Sequence, residues 1–287
     1  MTDTICILTP DPADEGFKTR WRDVLERNAE PLRAASLEVV GRSWADEADL
    51  THFALVLPLL VWGYPHAHGK WVEAVTRWEG QGVRLQNPGS VLRWNADKRY
   101  LGRLQERGAP VIPTLFADRL TLDTMEEARA RFGSDRLVAK PQVSSTAWQT
   151  IRWSPGKSLA GGPEGPAMVQ PYLPAIEQSG EVSLIFFGGR FSHAISKRPQ
   201  PGDFRVQPEF DGIIAAYHPA PDELAAAERI LAAVEEDLLY ARVDLVRGLS
   251  GAPELIELEL IEPDLYLGYD NGRGAAFAGA AKELIAR

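Results

Sequence analysis

The sequence predicts an N-terminal α/β unit followed by a larger α+β region rich in antiparallel strands. Three observations carry this reading. Up to about residue 90, short apolar runs alternate with segments of helical periodicity, the pattern of a parallel sheet with helices on its faces. From Leu137 onward the texture changes to closely spaced strands, with Gly188-Gly189-Arg190 as a hairpin turn signal between two of them. The 287 residues are 45% hydrophobic and 25% charged, an ordinary globular balance with enough apolar material for one large domain or two to three small ones.

The elements follow in order. Ile5 to Leu8 is an apolar run stopped by Thr9-Pro10 and reads as a buried strand. Phe17 to Ala35 places Phe17, Trp21, Val24, Leu25 and Leu32 at helical spacing, with Pro31 expected to bend or end the helix. Phe53 to Leu57 is a second strand. Trp71, Val75 and Trp78 form one helical stripe, closed by Gly80 and Gly82. Asn95 to Gln105 reads as a helix, Val111 to Thr114 as an extended segment and Leu122 to Arg131 as an acidic helix. Strands are expected over Leu137 to Lys140, Ala167 to Tyr172, Val182 to Phe187 and Phe191 to Ile195. A helix over about Pro221 to Leu239 precedes two strands, Ala241 to Val246 and Glu254 to Glu259, and a closing helix over Gly279 to Ala286. The loops richest in Gly, Pro and Ser are Ser154 to Pro166 and Arg198 to Gly202, places where function often resides. The division falls near residue 90.

Net charge is −9, which disfavours nonspecific nucleic-acid binding, whose affinity comes from Lys and Arg on phosphates. The single cysteine, Cys6, lies inside an apolar run, so no intrachain disulfide framework exists and a cytoplasmic setting is expected. The N-terminal residues lack the basic start and apolar stretch of a signal peptide. The longest apolar run, Phe53 to Trp62, is interrupted by Pro58 and too short to span a bilayer. No membrane partner is expected.

The chemistry concentrates near the C-terminal end. Glu257 and Glu259 alternate with apolar residues, so they share one strand face. Strict alternation puts Leu255 on that same face and Ile256, Leu258 and Leu260 toward the core. Asp244 joins the two glutamates if the final strands are neighbours. Three clustered carboxylates repel unless a cation sits among them, and Mg²⁺ suits an all-oxygen site shared with phosphates. Taken alone, the alternation reads better as a solvated strand face. Lys98 and Lys140 shift that balance. Lys140 ends the apolar strand Leu137-Val138-Ala139-Lys140, where a lysine can point into a cleft. In Met168-Val169-Gln170-Pro171-Tyr172-Leu173-Pro174, prolines free backbone groups of an apolar strand for other partners.

The order of these pieces, from about Leu85 to Leu267, resembles the ATP-grasp superfamily of carboxylate-activating ligases. Gln170-Pro171-Tyr172-Leu173-Pro174-Ala175-Ile176 followed by Gly180-Glu181 resembles the glutathione synthetase type. Arg93-Trp94-Asn95-Ala96-Asp97-Lys98, Phe191-Ser192-His193-Ala194 and Glu257-Leu258-Glu259-Leu260-Ile261-Glu262-Pro263 resemble the smaller group of cycloserine-forming cyclo-ligases.

The resemblance implies a pre-ATP-grasp substrate domain over residues 1–90. An ATP-grasp domain would follow over 91–287, with subdomains of about 91–170 and 171–287 sandwiching the nucleotide. It implies Lys98 and Lys140 on ATP phosphates, and Gln170, Tyr172 and Leu173 around adenine, with backbone groups of Tyr172 and Leu173 reading its edge. Glu181 would hold the ribose, with Lys197 near the phosphates and Arg205 on the transferred phosphate. Asp244, Glu257 and Glu259 would bind Mg²⁺, with Mn²⁺ as the alternative ion. The implied reaction is ADP-forming activation of a small carboxylate as an acyl-phosphate for attack by an amine or similar nucleophile, between molecules or within one. The alternatives are a non-catalytic nucleotide-binding module and a small-molecule kinase. A homo-oligomer is also implied.

Two positions depart from the family pattern. Glu259 stands where Asn is usual, and Gln142 to Trp148 replaces a glycine-rich loop. Outside the motifs, His66 and His68 read as polar residues of a loop capping a helix, His193 as a hydrogen-bonded strand histidine, and Trp148 and Trp153 as packing residues. Asp270 and Arg273 read as surface charges.

Overall fold

The strands of the N-terminal segment pair in parallel, as the sequence predicts, but a third strand not expected from the sequence follows the first helix and leads to the next strand with no helix between. The computed structural model describes residues 3–14, 20–145, 147–198 and 212–287. Strand β1 (Thr4–Thr9) lies between β2 (Glu38–Ser43) and β3 (Leu55–Leu57), flanked by α1 (Trp21–Ala34) and α2 (His68–Gly80). Pro31 sits inside α1 and does not end it. Its missing N–H sacrifices one bond, while buried Pro31 and Leu32 keep the last turn packed.

The expected helix over Asn95 to Gln105 is two helices, α3 (Gly89–Asn95) and α4 (Tyr100–Glu106). Asp97 breaks it, its carboxylate accepting from the Arg99 N–H at 2.9 Å. Lys98 therefore stands in a turn between helices. Val111 makes an isolated bridge to Leu255, and the strand of this region is β4 (Leu115–Ala117). Then come α5 (Leu122–Phe132), β5 (Leu137–Pro141), β6 (Ile151–Trp153) and β7 (Ala167–Pro171), which with β4 form an antiparallel sheet of order β4-β7-β5-β6.

The short helix α6 (Ala175–Gln178) leads to β8 (Glu181–Phe187), β9 (Arg190–Arg198) and β10 (Ile213–Tyr217). Helix α7 (Pro221–Ala232) stops short of the expected Leu239, because Glu235, Glu236 and Asp237 would crowd the negative end of its dipole. Strands β11 (Tyr240–Arg247) and β12 (Pro253–Glu259) and helix α8 (Ala275–Ile285) complete the chain. The five-stranded sheet has order β10-β9-β8-β11-β12, with every pairing antiparallel. Among the described residues, no helix is long and apolar enough to cross a membrane.

The five-stranded sheet organises the molecule. One face carries Leu184, Phe186, Ala194, Val243 and Leu245, packed with Leu101 and Leu104 of α4 and Ala227 and Ile230 of α7. The other face carries Ile185, Phe187, Ile195 and Tyr240, packed with Ile5, Ile7, Leu55 and Leu57 of the N-terminal sheet and Phe277 of α8. The N-terminal unit thus shares a core with the C-terminal strands.

One residue fastens this junction. The side chain of Asn87 is fully buried and donates to Leu260 O at 2.8 Å and Tyr240 O at 3.0 Å, while accepting from the Leu239 N–H at 2.8 Å. Removing it leaves three backbone groups without partners. Asn87→Ala is expected to lower unfolding free energy by about 2–4 kcal/mol, read as a drop in the urea midpoint at unchanged slope.

Candidate active site

The face that seats the N-terminal unit changes character along its strands. Alternation that places Tyr240 on the apolar half places Arg242 and Asp244 further along β11, while Ser183 and Glu181 precede Ile185 on β8. On β9, Lys197 follows Ile195. Register then aligns the side chains across strands: Asp244 opposite Ser183 and Glu257, Arg242 opposite Glu259, and Lys197 opposite Glu181.

Strand β12 departs from strict alternation. Asp244 pairs with Glu257 but Leu245 pairs with Leu255, so Ile256 is an extra residue, a β-bulge. The bulge turns Leu255 into the core beside Leu258 and leaves Ile256 on a smaller satellite cluster. The expected placement of Leu255 with the glutamates and Ile256 in the core is therefore corrected. Glu257 and Glu259 still share the Asp244 face. Asp244, Glu257 and Glu259 each offer an oxygen within 4.8 Å of the others. Three hard carboxylate donors so placed fit a small divalent cation such as Mg²⁺.

The acids sit among bases. Asp244 is 2% exposed and accepts from Arg242 Nη2 at 2.9 Å, from Lys197 Nζ at 3.1 Å and from the Ser183 hydroxyl at 2.6 Å. Lys197 also pairs with Glu181, and Arg242 with Glu259. Burial pushes the Asp244 carboxyl up, but Arg242 and Lys197 together outweigh it and hold it well below the usual carboxylate range. Burial works against the Lys197 charge too, and Asp244 and Glu181 outweigh it, holding the ammonium above its ordinary value. At Glu259 burial prevails over Arg242, and the neighbouring Glu257 and Asp244 add to it, so its carboxyl is pushed up to about 8.

Both predicted phosphate lysines reach this cluster, Lys140 from β5 of the four-stranded sheet and Lys98 from the turn between α3 and α4. Asn95 donates to Leu258 O at 2.9 Å and accepts from the Leu260 N–H at 3.0 Å, and the Tyr100 hydroxyl accepts from the Leu258 N–H at 2.8 Å. Those contacts dress the free edge of β12 and hold the turn carrying Lys98. Its ammonium lies 3.3 Å from Glu257 and donates to Ser144 O at 2.6 Å. Lys140, on β5, is lowered to about 8, chiefly by burial and further by Lys98, against the pull of Glu257. Phosphate oxygens would restore its charge.

Gln170 is buried and donates to the Thr114 hydroxyl at 3.0 Å. The Tyr172 N–H is spent on Arg136 O at 2.8 Å, so that donor does not read a ligand's edge. Leu173 is buried beside Ile112 and Val246. Arg205 lies outside the described residues. His193 behaves as expected, its Nε2 2.9 Å from Leu265 O and its Nδ1 3.0 Å from the Ser192 hydroxyl. Trp153 is buried, but Trp148 is 47% exposed and meets His66 edge-on at 5.6 Å between ring centres. Trp148 is thus a contact between the loop after β5 and the N-terminal unit, and His66 is its partner.

Arg242 is the member of this charge network that sequence reading passed over. Its signal was available: it stands two residues before Asp244 on one strand, hence on the same face.

The buried acids set a pH dependence. A carboxyl whose folded value, about 8, exceeds the 4.5 of the free side chain stabilises the fold below pH 4.5 and loses that contribution as pH rises through 8. In chelator-treated protein, Glu259→Gln is expected to reduce the fall in stability between pH 5 and pH 8 by at least about 1 kcal/mol. Urea midpoints at the two pH values measure it, and parallel falls in both proteins would refute it.

Comparisons with known proteins agree with this architecture. Residues 5–87 match the family described as D-cycloserine synthetase DcsG, N-terminal domain. The cycloserine biosynthesis protein DcsG of Streptomyces lavendulae is 30% identical over 284 residues, spanning 89% of this chain and 92% of that protein. The crystal structure of D-cycloserine synthetase DcsG superposes with a TM-score of 0.81 at 28% identity, over 98% of this chain and 99% of that one. A glutathione synthetase of Prochlorococcus marinus (strain MIT 9313) is 26% identical over 249 residues, covering 78% of this chain and 75% of that protein. D-alanine–D-alanine ligase from Bacillus anthracis, complexed with ATP, shares the fold alone, with a TM-score of 0.69 at 15% identity over 99% and 96% of the two chains. The chain belongs to the ATP-grasp ligases of the D-cycloserine synthetase type and is an ATP-dependent, ADP-forming enzyme that joins carboxylates to nitrogen.

Proposed function

We propose that this enzyme activates a small carboxylate as an acyl-phosphate on the charged half of the five-stranded sheet and passes the acyl group to an amine. The convergence of Asp244, Glu257 and Glu259 within 4.8 Å, ringed by Lys98, Lys140, Lys197 and Arg242, carries this reading. A binding module has no use for so many buried charges, which cost several kcal/mol each unless compensated.

In this reading Asp244, Glu257 and Glu259 hold Mg²⁺. The ion supplies charge neutralisation and alignment of the ATP phosphates. Carboxylates have lone pairs enough to serve the ion while keeping Arg242 and Lys197 as partners. Lys98 and Lys140 bind phosphate oxygens, Lys98 exchanging its bond to Ser144 O for them. Lys197, Arg242 and Arg205 stabilise the phosphoryl group as its charge shifts toward the substrate carboxylate. Such transfer needs positioning and electrostatics more than covalent help from the protein. Gln170, Tyr172 and Leu173 line the adenine slot, with Leu173 supplying the N–H because Tyr172 has committed its own. Glu181 orients the ribose and keeps Lys197 charged.

The chain divides at about residue 90 into a substrate domain, 1–90, and an ATP-grasp domain, 91–287, whose subdomains, about 91–170 and 171–287, enclose the nucleotide. Tyr64 and His66 bring the first domain to the mouth of the site. Similarity to D-cycloserine synthetase over nearly the whole chain favours a ring-closing use, in which acid and nucleophile belong to one molecule. A cytoplasmic setting suits an ATP-consuming enzyme with one buried free thiol, Cys6.

Asp244→Asn is expected to lower ADP release by at least about 100-fold with a chelator-resistant fold, measured by coupled ADP assay across a panel of amino acids and their derivatives. Near-normal turnover would sink the metal assignment. Lys140→Met is expected to raise the KM for ATP about tenfold or more while leaving the acid's KM within about twofold. Mass spectrometry of the product separates ligation, with release of phosphate, from a kinase reaction that retains it.

A further inference from the structure

The segment that follows Lys140 holds no glycine from Pro141 to Thr150. Yet Ala147 and Gln149 both take the left-handed backbone conformation, with φ of 56° and 50°. A side chain crowds the backbone at such angles, so each costs energy, and strain of this kind persists where the surrounding structure holds it for a purpose. The residue between the two is Trp148. It is 47% exposed, and its ring meets His66 edge-on at 5.6 Å between ring centres.

Contacts at both ends of the segment place this pair. At the root, the Gln142 side chain donates to Ala167 O at 2.9 Å and to Ala117 O at 3.1 Å, and Gln142 O accepts from the Lys98 N–H at 2.8 Å. Next, Ser144 O accepts from Lys98 Nζ at 2.6 Å, and that ammonium lies 3.3 Å from Glu257. From Ser144 to Trp148 the chain reaches at most about 14 Å. On the far side, His66 belongs to the turn at Tyr64–Ala67. That turn is held by the His66 N–H on Gly63 O at 3.0 Å and by the Tyr64 ring against Trp71 of α2, 5.3 Å between centres. The segment therefore runs from the acid cluster to the N-terminal unit, and Trp148 and His66 span the seam between them.

We propose that Trp148, resting on His66, is a positioning residue that keeps bulk water from the acyl-phosphate, so that ATP consumption stays tied to ligation. The assignment rests on the ligase reading above. An acyl-phosphate has two competing fates. An amine nitrogen attacks the acyl carbon, the carbon–oxygen bond to phosphate breaks, and the nitrogen's proton leaves with the phosphate. Water attacking the same carbon breaks the same bond, passes its protons to the products, and returns the acid with inorganic phosphate. ATP is then hydrolysed with nothing ligated. Excluding water from a site suppresses such side reactions. An indole suits the task, being large, flat and mostly apolar, and an edge-on ring pair fixes where it lies.

The test measures ADP formed per acid consumed by the whole chain with Mg-ATP. A coupled assay and mass spectrometry read it on the amino acid or derivative that wild type turns over fastest. Wild type is expected to form one ADP for each acid consumed. Trp148→Ala is expected to raise that ratio about threefold or more, the factor a lost aromatic contact is worth. His66→Ala is expected to raise it likewise, and the double variant no further, since both changes remove one contact. Trp148→Phe and His66→Phe keep a ring on each side and are expected to stay near wild type. In heavy-oxygen water the excess ADP is expected to be matched by label in the recovered acid, the mark of water attacking the acyl carbon. Should Trp148→Ala fail to fold, His66→Ala reads the same contact.

A ratio unchanged in both alanine variants, whatever happens to the rate, overturns the assignment while the ligase reading stands. So do increases that add in the double variant, which would make the two effects separate, and excess ADP without label in the acid, which is direct hydrolysis of ATP. Absence of ADP release by wild type on every acid, or a wild-type product that retains the phosphate, would overturn the ligase reading and this assignment with it.

Discussion

A carboxylate buried at 2% exposure cannot stand alone, and the compensation of Asp244 shapes everything around it. Its two oxygens take a guanidinium, an ammonium and a hydroxyl, from Arg242, Lys197 and Ser183. Each of those cations then requires its own second partner. Lys197 finds Glu181 and Arg242 finds Glu259, so the charges spread as an alternating network across β9, β8, β11 and β12. Such networks hold only when every member is satisfied, because the low dielectric that strengthens each bond also penalises each unpaired group. The arrangement gives the site a floor of paired charges in which Arg242 and Lys197 keep Asp244 ionised, while burial raises the carboxyl of Glu259.

The same sheet face does two jobs. Its apolar half, with Ile185, Phe187, Ile195 and Tyr240, seats the N-terminal unit; its charged half faces the phosphates and metal in the proposed reading. Because strands are stiff and alternate every second residue, docking at one half fixes the N-terminal turn at Tyr64–Ala67 relative to the other. The open edge of β12 supplies the remaining constraint. Backbone groups there must find partners, and Asn95 and Tyr100 provide them, which brings Lys98 to Glu257 from the turn between α3 and α4. Edge satisfaction and site assembly are thus one event.

Much of the fold and site was readable from residues. The parallel start, the hairpin at Gly188-Gly189 and the closing strand pair follow from local pattern. Asp244, Glu257 and Glu259 meet as expected, since register between adjacent strands needed only one assumption. Arg242 was equally readable, being two residues from Asp244, but attention to acids left it aside. Other features were hidden for physical reasons. The bulge at Ile256 depends on what packs on both sides of β12, so no local pattern announces it. The break at Asp97 competes with strong helical periodicity on either side and wins because Asn95 is needed at a strand edge. Strand β2, with a largely exposed face and Gly41 inside it, carries too little apolar alternation to be recognised alone.

By itself, the sequence determined which chemistry was present: three acids, the lysines, and the order of elements that carries them. Those follow from residue identity and short-range periodicity, which act within a few residues. Only the tertiary structure decided how the charges divide among themselves. It set Arg242 between Asp244 and Glu259, spent the Tyr172 N–H on Arg136, laid Trp148 against His66 and left Glu262 Oε2 buried without a hydrogen-bond partner among the described residues. Pairing of buried charges depends on distances between distant parts of the chain, and Coulomb energy in a dry interior turns on separations of a few ångströms that no linear pattern records.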